Sequence, residues 1–202
     1  MILRPAEISN ADRYRLLIGT VLPRPIAWVS SLDAEGRPNL APFSYFTVAC
    51  SDPMTLLFCP QMPAATGRAK DTLRNVRERP EFVVNICDES TVEAMNATSA
   101  PLPPGRSEFE HAGVVPAESV TVFVPRVAAA PVAYECRLQR IVDVGEGPGS
   151  GSVVFGEVLC VHIRDALWVD GKVPLEGLRP VGRLAGNAYA RVTDVFELRR
   201  PD

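Results

Sequence analysis

Residues 24–46, RPIAWVSSLDAEGRPNLAPFSYF, place two strand-like runs on either side of a short turn sequence. Both runs are rich in aromatic and β-branched residues, which favour strands. The intervening DAEG suits a four-residue hairpin loop in which Gly36 takes positive φ. The stretch therefore predicts a β-hairpin, and its unusual feature is the number of small polar residues inside the strands.

Nineteen prolines and fourteen glycines divide the rest of the chain into short elements. Strands are predicted at 25–32, 39–49, 54–59, 81–87, 120–125, 131–144 and 153–164, and helices at 10–18, at 71–79, after a capping box at Ser90–Glu93 and after another at Ser107–Glu110. LWVDGKVPL is predicted to be a hairpin, and YARVTDVFEL a last strand that closes the sheet. This pattern predicts a mainly β fold with a few short helices, an antiparallel closed or nearly closed barrel, in a single domain over residues 1–202.

Composition excludes several classes of function. A net charge of −3 gives no general attraction to nucleic acid or to an anionic membrane. No apolar run is long enough for a membrane span, and the N-terminus lacks the pattern of a secretory signal, so a cytoplasmic protein is expected. Five cysteines without a C-x-x-C and two histidines predict no metal site, and the cysteines other than Cys59 are expected to be buried apolar residues.

Arginine supplies nearly all of the positive charge, since the chain has only two lysines, Lys70 and Lys172. Lys70 lies in GRAKDTLRN, just before the predicted helix at 71–79. The amides and positive end of a helix N-terminus bind phosphate well, and Thr72 and Lys70 would add a hydroxyl and a charge. The alternative is a plain helix cap with solvated basic residues. GEGPGSG lacks the ending of a phosphate loop and is interpreted as a flexible hairpin loop.

Alternation along the hairpin separates its residues onto two faces. Ser30 is predicted to share a face with Trp28, and Ser31 to lie on the opposite one. Pro42 within the second strand lacks a ladder donor and should therefore lie at a sheet edge or bulge. We expect one face to hold a flat, phosphate-bearing ligand; the alternative for an isolated serine is an outer polar position.

Further segments follow in a set order: DPMTLLFCP, KDTLRNVRERPEFVVN, EFEHAGV, PVAYECRL, FGEVLCVHI and RLAGNAY. With the hairpin, these segments span about residues 22–190, and in them the chain resembles the flavin reductase-like proteins, the FMN-binding split-barrel group that includes flavoredoxin. The resemblance implies a split β-barrel of antiparallel, Greek-key type. It also implies a homodimer that binds FMN near the subunit interface.

The resemblance further implies which residues contact the cofactor. The ribityl and phosphate groups are expected to meet Ser30, Ser31, Lys70 and Thr72. The isoalloxazine is expected along Ala41, Pro42, Phe43 and Ser44, helped by Phe58, Cys59 and Pro60. Further candidates are Asn39, Asn75, Arg183 and Tyr189, the last two with ordinary barrel-closing contacts as the alternative.

Two functions fit this resemblance best. The first is an NAD(P)H-dependent flavin reductase that takes hydride from NADH or NADPH and passes reduced flavin to a partner oxygenase. The second is an electron carrier that holds FMN and exchanges electrons with a partner protein; a binding protein without redox work is a third. Related reductases that use diffusible flavin often carry a histidine just ahead of the GEV strand, and GPGSGSVVFGEV has none. FMN binding is thus better supported than hydride transfer, no catalytic residue is assigned, and His162 is interpreted as an ordinary sheet residue.

Overall fold

The computed structural model describes residues 1–63, 67–103 and 105–201. The strands are β1 (Ala27–Leu32), β2 (Pro38–Phe43), β3 (Phe46–Ser51), β4 (Met54–Phe58), β5 (Glu81–Ile86), β6 (Pro116–Ala117), β7 (Arg126–Val127), β8 (Val132–Val144), β9 (Gly151–Ile163), β10 (Val181–Arg183) and β11 (Tyr189–Arg191). The α-helices are α1 (Asn10–Thr20), α2 (Asp71–Glu78), α3 (Val92–Ala97), α4 (Glu108–His111) and α5 (Leu175–Leu178). Among the described residues, no helix is both long and apolar enough to cross a bilayer.

Seven strands form one antiparallel sheet in the order β2-β1-β5-β8-β9-β4-β3. Its two edges, β2 and β3, are consecutive in the chain and are separated only by Ser44 and Tyr45. Three Cα–Cα steps of about 3.8 Å reach at most about 11 Å. Because so short a link joins the edges, the sheet must curl until they approach each other. The predicted mainly β, antiparallel barrel is confirmed.

The inward faces of the strands share one hydrophobic core, which we call the barrel interior. Its buried members are Ala27, Val29, Phe43, Leu56, Phe58, Phe82, Val84, Cys136 and Val154 from the sheet, with Leu73 and Val76 from α2. Phe58 lies between Phe43 and Phe82, with ring centroids 5.1 and 5.4 Å from its own. Phe82 packs against the β9 backbone at Gly156, where an added Cβ would lie 2.2 Å from its ring. This position of β9 therefore requires glycine.

The outward face of β1 is buried as well, beneath α3 and α4. Trp28 is fully buried there, and its indole Nε1 donates a hydrogen bond to Thr98 Oγ1 at 2.9 Å. α4 covers the free edge of β2, because Glu108 accepts from the Leu40 amide and the Ser107 hydroxyl donates to the Pro38 carbonyl. Ser107 therefore does not cap α4 in the predicted capping box. Such coverage protects an edge strand from unwanted pairing.

Most predicted elements are present within one or two residues of the predicted bounds. The run at 39–49 is two strands, because the chain must turn between the two sheet edges. Pro42 does lie in an edge strand, as predicted. α3 starts after Thr91, and the Ser90 hydroxyl donates to Asp88 rather than forming a capping box. Cys50 is exposed, because β3 is the other edge.

The C-terminal predictions were only partly right. Asp170 and Gly171 both have positive φ, 49° and 73°, and make the predicted tight turn. The segments beside it form a 3₁₀ turn and α5 instead of two strands. In the run predicted to close the sheet, only residues 189–191 form a strand, β11, which pairs with β10 and not with the large sheet.

The run at 120–125 was wrongly predicted to be a strand, and a buried carboxylate explains its shape. Glu135 on β8 is fully buried, and its carboxylate accepts hydrogen bonds from the amides of Val120, Thr121 and Val122. It also accepts from the Thr121 hydroxyl and contacts the His162 ring. These amides point at one side chain, so they are not available for a β-ladder.

Glu135 should make the stability of the fold depend on acid pH. Burial by itself raises the pKa of this carboxyl, but the hydrogen bonds from Thr121, His162 and the Val120 amide outweigh it and lower the pKa to about 2 from 4.5. Since the folded-state pKa lies below the unfolded value, the ionised group stabilises the fold above about pH 4.5. This contribution is lost as the pH falls towards about 2.

We therefore expect Glu135→Gln to lower the free energy of unfolding near neutral pH by about 3 kcal/mol. It should also flatten the pH dependence of that free energy between about pH 5 and pH 2, as measured by urea denaturation. Glu157→Gln is the control, because that carboxylate pairs with Arg137 at the surface and should contribute less than about 1 kcal/mol. Parallel pH profiles for Glu135→Gln and the unsubstituted protein would contradict this account.

Candidate functional site

The N-terminal turn of α2 lies against the hairpin of β1 and β2. Leu73 and Val76 enter the barrel interior, which fixes the rotation of the helix. Thr72 and Asn75 are each only 1% exposed, and the Asn75 amide Nδ2 donates to Ser31 Oγ at 3.1 Å. The structure thus brings together three of the predicted site residues, one from the sheet and two from the helix.

Two buried oxygens at this point have no hydrogen-bond partner among the described residues. They are Thr72 Oγ1 and Asn75 Oδ1. A buried polar atom without a partner costs about 1–3 kcal/mol, so such atoms are rare and need an explanation. A ligand that accepts from the hydroxyl and donates to the amide oxygen would supply the partners.

Lys70 adds positive charge at the same end of α2. It occupies the residue before the helix, in an extended conformation, and its side chain is exposed. The first amides of a helix have no intrahelical partner and carry the positive end of its dipole. Residues 67–70 that lead into the helix are exposed. Backbone amides, a buried hydroxyl and an ammonium group therefore belong to one turn of the chain, a set of groups that suits a phosphate monoester.

The register of β1 and β2 extends this site along the sheet. Ser31 lies opposite Asn39, and Val29 lies opposite Ala41, so these four residues share the face that α2 covers. Asn39 and Asn75 line a cleft of about 80 Å³. That is room for about two or three waters and too little for a fused ring system. A larger ligand would therefore have to continue along the edge of β2. Because Asp33, Asp71 and Glu108 also line the cleft, the cleft itself does not favour an anion.

The far end of β2 meets β4 at the link between the sheet edges. The Cys59 amide donates to the Tyr45 carbonyl at 2.8 Å, and Pro60 accepts from the Ser152 amide. Burial raises the pKa of the Cys59 thiol, which is therefore protonated at neutral pH and forms an apolar surface rather than a nucleophile. The extended chain from Asn39 to Ser44 is about 17 Å long, at about 3.3–3.4 Å per residue.

The N-terminal turn of α2, the β2 strand and the segment at Cys59 and Pro60 together outline a groove. Some predicted site residues lie apart from this groove. Ser30 is on the opposite face from Ser31, is fully buried, and donates to the Pro125 carbonyl at 2.6 Å. Phe43 and Phe58 are packed in the barrel interior and make no surface for a ligand. Two further predicted residues, Arg183 and Tyr189, lie on the outer side of β2.

Arg183 and Tyr189 belong to this second location, a cavity of about 210 Å³ that Pro42 and Ser44 also line. The Arg183 guanidinium lies 4.5 Å from the centre of the Tyr189 ring, whose hydroxyl donates to Asn96. Sequence analysis missed Arg24, which lines the same cavity and is 6% exposed. Arg24 looks like any surface cation in a chain rich in arginine, so no local signal identifies it.

One cluster has the composition of a metal site. Glu135, Cys160 and His162 each place a ligand-type atom within 4.8 Å of the others. The Glu135 carboxylate, however, already accepts from three amides and a hydroxyl, which occupy its lone pairs. His162 is thus a sheet residue with a satisfied partner, as predicted, and the cluster anchors residues 120–122.

Replacing Thr72 by valine should reveal whether its hydroxyl has a partner within the protein. Because Thr72 Oγ1 has none among the described residues, Thr72→Val should change the free energy of unfolding of the flavin-free protein by less than about 0.5 kcal/mol. Thr98→Val is the matched control, since that hydroxyl accepts from Trp28 and donates to the Met95 carbonyl; its loss should cost about 1–3 kcal/mol. Equal losses, measured by urea denaturation, would contradict the assignment.

Comparison with known proteins identifies the family and the fold. Residues 18–174 match the family model described as flavin reductase like domain. Nitrilotriacetate monooxygenase component B from Bacillus cereus has 41% sequence identity, with 98% of each chain covered and a TM-score of 0.93. Pseudomonas fluorescens 2-nitrobenzoate 2-nitroreductase NbaA has 36% identity, with 100% of this chain and 96% of that chain covered and a TM-score of 0.88. A Shewanella frigidimarina protein described as having a split barrel domain has 19% identity and a TM-score of 0.84, with 100% of each chain covered. The chain therefore belongs to the flavin reductase-like family and has its split-barrel fold.

Proposed function

We propose that this protein binds FMN in the groove between α2 and the edge of β2 and works as an NAD(P)H-dependent flavin reductase. The observation that carries the proposal is the pair of buried oxygens of Thr72 and Asn75 at the N-terminal turn of α2, which have no partner within residues 1–63, 67–103 and 105–201. Membership of the flavin reductase-like family supports the same reading. The order of groups along the groove, from polar to apolar, matches the order of groups in FMN.

The residues of the groove would divide the work of holding FMN. Lys70, Thr72 and the first amides of α2 would bind the phosphate, because together they supply donors and positive charge. Ser31, Asn39 and Asn75 would face the ribityl hydroxyls with both donors and acceptors. The small and apolar residues Ala41, Pro42, Ser44, Cys59 and Pro60 would flank the ring and exclude water from it.

When bound, the isoalloxazine supplies the two-electron chemistry that lets a flavin accept hydride from NADH or NADPH. The chain itself needs to orient the two ring systems and keep water away, and no protein acid or base is assigned to this step. The 41% identity to a protein named as a monooxygenase component supports an oxygenase as the partner that receives the reduced flavin.

We also propose that two copies of the chain form a homodimer. α1 has no buried residue, although it carries Tyr14, Leu16 and Leu17. β3 is exposed along nearly its whole length, and the C-terminal segment displays Phe196 and Leu198. Extended apolar surface of this kind usually marks an interface. A second copy of the chain would cover it and complete the walls of the groove.

FMN binding is tested most directly by separating its phosphate from its ring. The purified protein should be yellow, and Lys70→Ala should weaken FMN binding about 10-fold or more while leaving riboflavin binding nearly unchanged, because only the phosphate contact is lost. Lys172→Ala, the only other lysine, is the matched control and should change neither affinity. Binding of both flavins is measured by the quenching of flavin fluorescence. If Lys70→Ala weakened the binding of FMN and of riboflavin equally, the placement of the phosphate would be rejected.

The reductase activity requires its own assay. Oxidation of NADH or NADPH, followed by absorbance, should increase with added FMN, and Lys70→Ala should raise the FMN concentration needed for half-maximal rate. Bound flavin that is reduced by dithionite but by neither dinucleotide would instead favour the electron carrier. A colourless protein that fails to quench FMN fluorescence would rule out both functions.

A further inference from the structure

We propose that the cavity beside Arg24 and Arg183 is a separate binding site for a small organic carboxylate. The cavity lies on the outer side of β2, between α1, α3 and the β10–β11 pair. Its lining includes two arginines and, among the described residues, no aspartate or glutamate. The inference does not depend on flavin binding, although Pro42 and Ser44 border both sites.

Arg24 is a buried cation without a counter-ion among the described residues. Its guanidinium donates to the carbonyls of Ile18, Val21 and Leu184, at 2.9–3.0 Å, and to Ser44 Oγ at 3.3 Å. These four bonds use four of its five N–H groups, which leaves one on Nη2. Carbonyl oxygens satisfy hydrogen bonds but do not neutralise the charge. Buried charges are normally paired, so an anionic ligand would supply what the chain does not.

Two further donors lie around the same space. Tyr45 lines the cavity, and its buried hydroxyl has no partner among the described residues. Burial raises the pKa of Tyr45, so its hydroxyl keeps its proton at neutral pH and can donate. Arg183 is held by its contacts with the Gly186 carbonyl and the Tyr189 ring, which orient the guanidinium and leave some of its N–H groups without a partner in the part of the chain that the structure describes. Two cations and a neutral hydroxyl thus surround one cavity.

Volume and apolar walls narrow the class of ligand. About 210 Å³ is below the 300–1,000 Å³ typical of sites for drug-sized molecules, so neither a dinucleotide nor a flavin fits inside it. Ile18, Ile26 and Met95 form apolar parts of the wall. A small molecule with an apolar body and one carboxylate matches both features, because the planar carboxylate pairs well with guanidinium and hydroxyl donors. A free phosphate would leave the apolar wall without a partner.

Isothermal titration calorimetry with benzoate, benzamide and inorganic phosphate tests the proposal on the purified protein. Benzoate should bind, benzamide should bind at least 10-fold more weakly because it lacks the charge, and phosphate should bind more weakly than benzoate. Arg183→Gln should weaken benzoate about 10-fold or more, and Tyr45→Phe several-fold. Arg164→Gln is the control, since that exposed arginine lies outside the cavity and should leave the affinity unchanged.

Substitution of Arg24 is avoided, because its bonds tie α1 to the β10 region and its loss would disturb the fold. Tyr45→Phe, by contrast, removes a hydroxyl that has no partner in the described part of the chain and should keep the free energy of unfolding nearly unchanged. The proposal is overturned if benzoate does not bind, if benzamide or phosphate binds as tightly, or if Arg183→Gln and Tyr45→Phe bind benzoate like the unsubstituted protein. The flavin spectrum of each variant reports on FMN binding alone. Loss of FMN binding can therefore be distinguished from loss of benzoate binding.

Discussion

The short link between the two edges of the sheet is the constraint on which the rest of the structure depends. With only Ser44 and Tyr45 between β2 and β3, the sheet has to curl, and its inward side chains then share one interior. The same link brings Cys59 against Tyr45 and points Ser44 towards Arg24. Both candidate sites therefore meet at this link, one on each face of β2.

The two faces of the hairpin are used differently. On the inward side, α2 seals the barrel with Leu73 and Val76 and holds Thr72 and Asn75 beside Ser31. On the outward side, the helical layer buries Trp28 and leaves a cavity near Arg24. The small polar residues of the strands are thus divided: Ser31 and Asn39 belong to the groove, and Ser30 binds the segment that precedes β7. The same hairpin therefore supplies residues that line the groove and a residue that holds a neighbouring segment of the chain in place.

Sequence reasoning worked where the signal was local. Alternation correctly separated Ser30 from Ser31, and the start of α2 at Asp71 was predicted correctly, although its N-cap is Lys70, whose side chain makes no capping hydrogen bond. It failed where a distant side chain decided the backbone. Residues 120–125 have strand-like composition, but Glu135 on β8 takes the amides of 120–122 and bends the segment. It also failed at Arg24, whose partners come from positions as far as 160 residues away.

The sequence by itself determined which residues alternate across the hairpin, where α2 begins, and that the chain resembles flavin reductase-like proteins. The alternation and the start of α2 depend on residues a few positions apart, so the sequence shows them directly. The resemblance depends on the order and spacing of short segments, which the sequence also contains. Only the tertiary structure decided that the sheet edges meet, that the buried oxygens of Thr72 and Asn75 find no partner among the residues described, and that Arg24 and Arg183 line one cavity. These features arise when the barrel closes and brings together residues that are far apart in the sequence. No local sequence pattern indicates that such residues will meet.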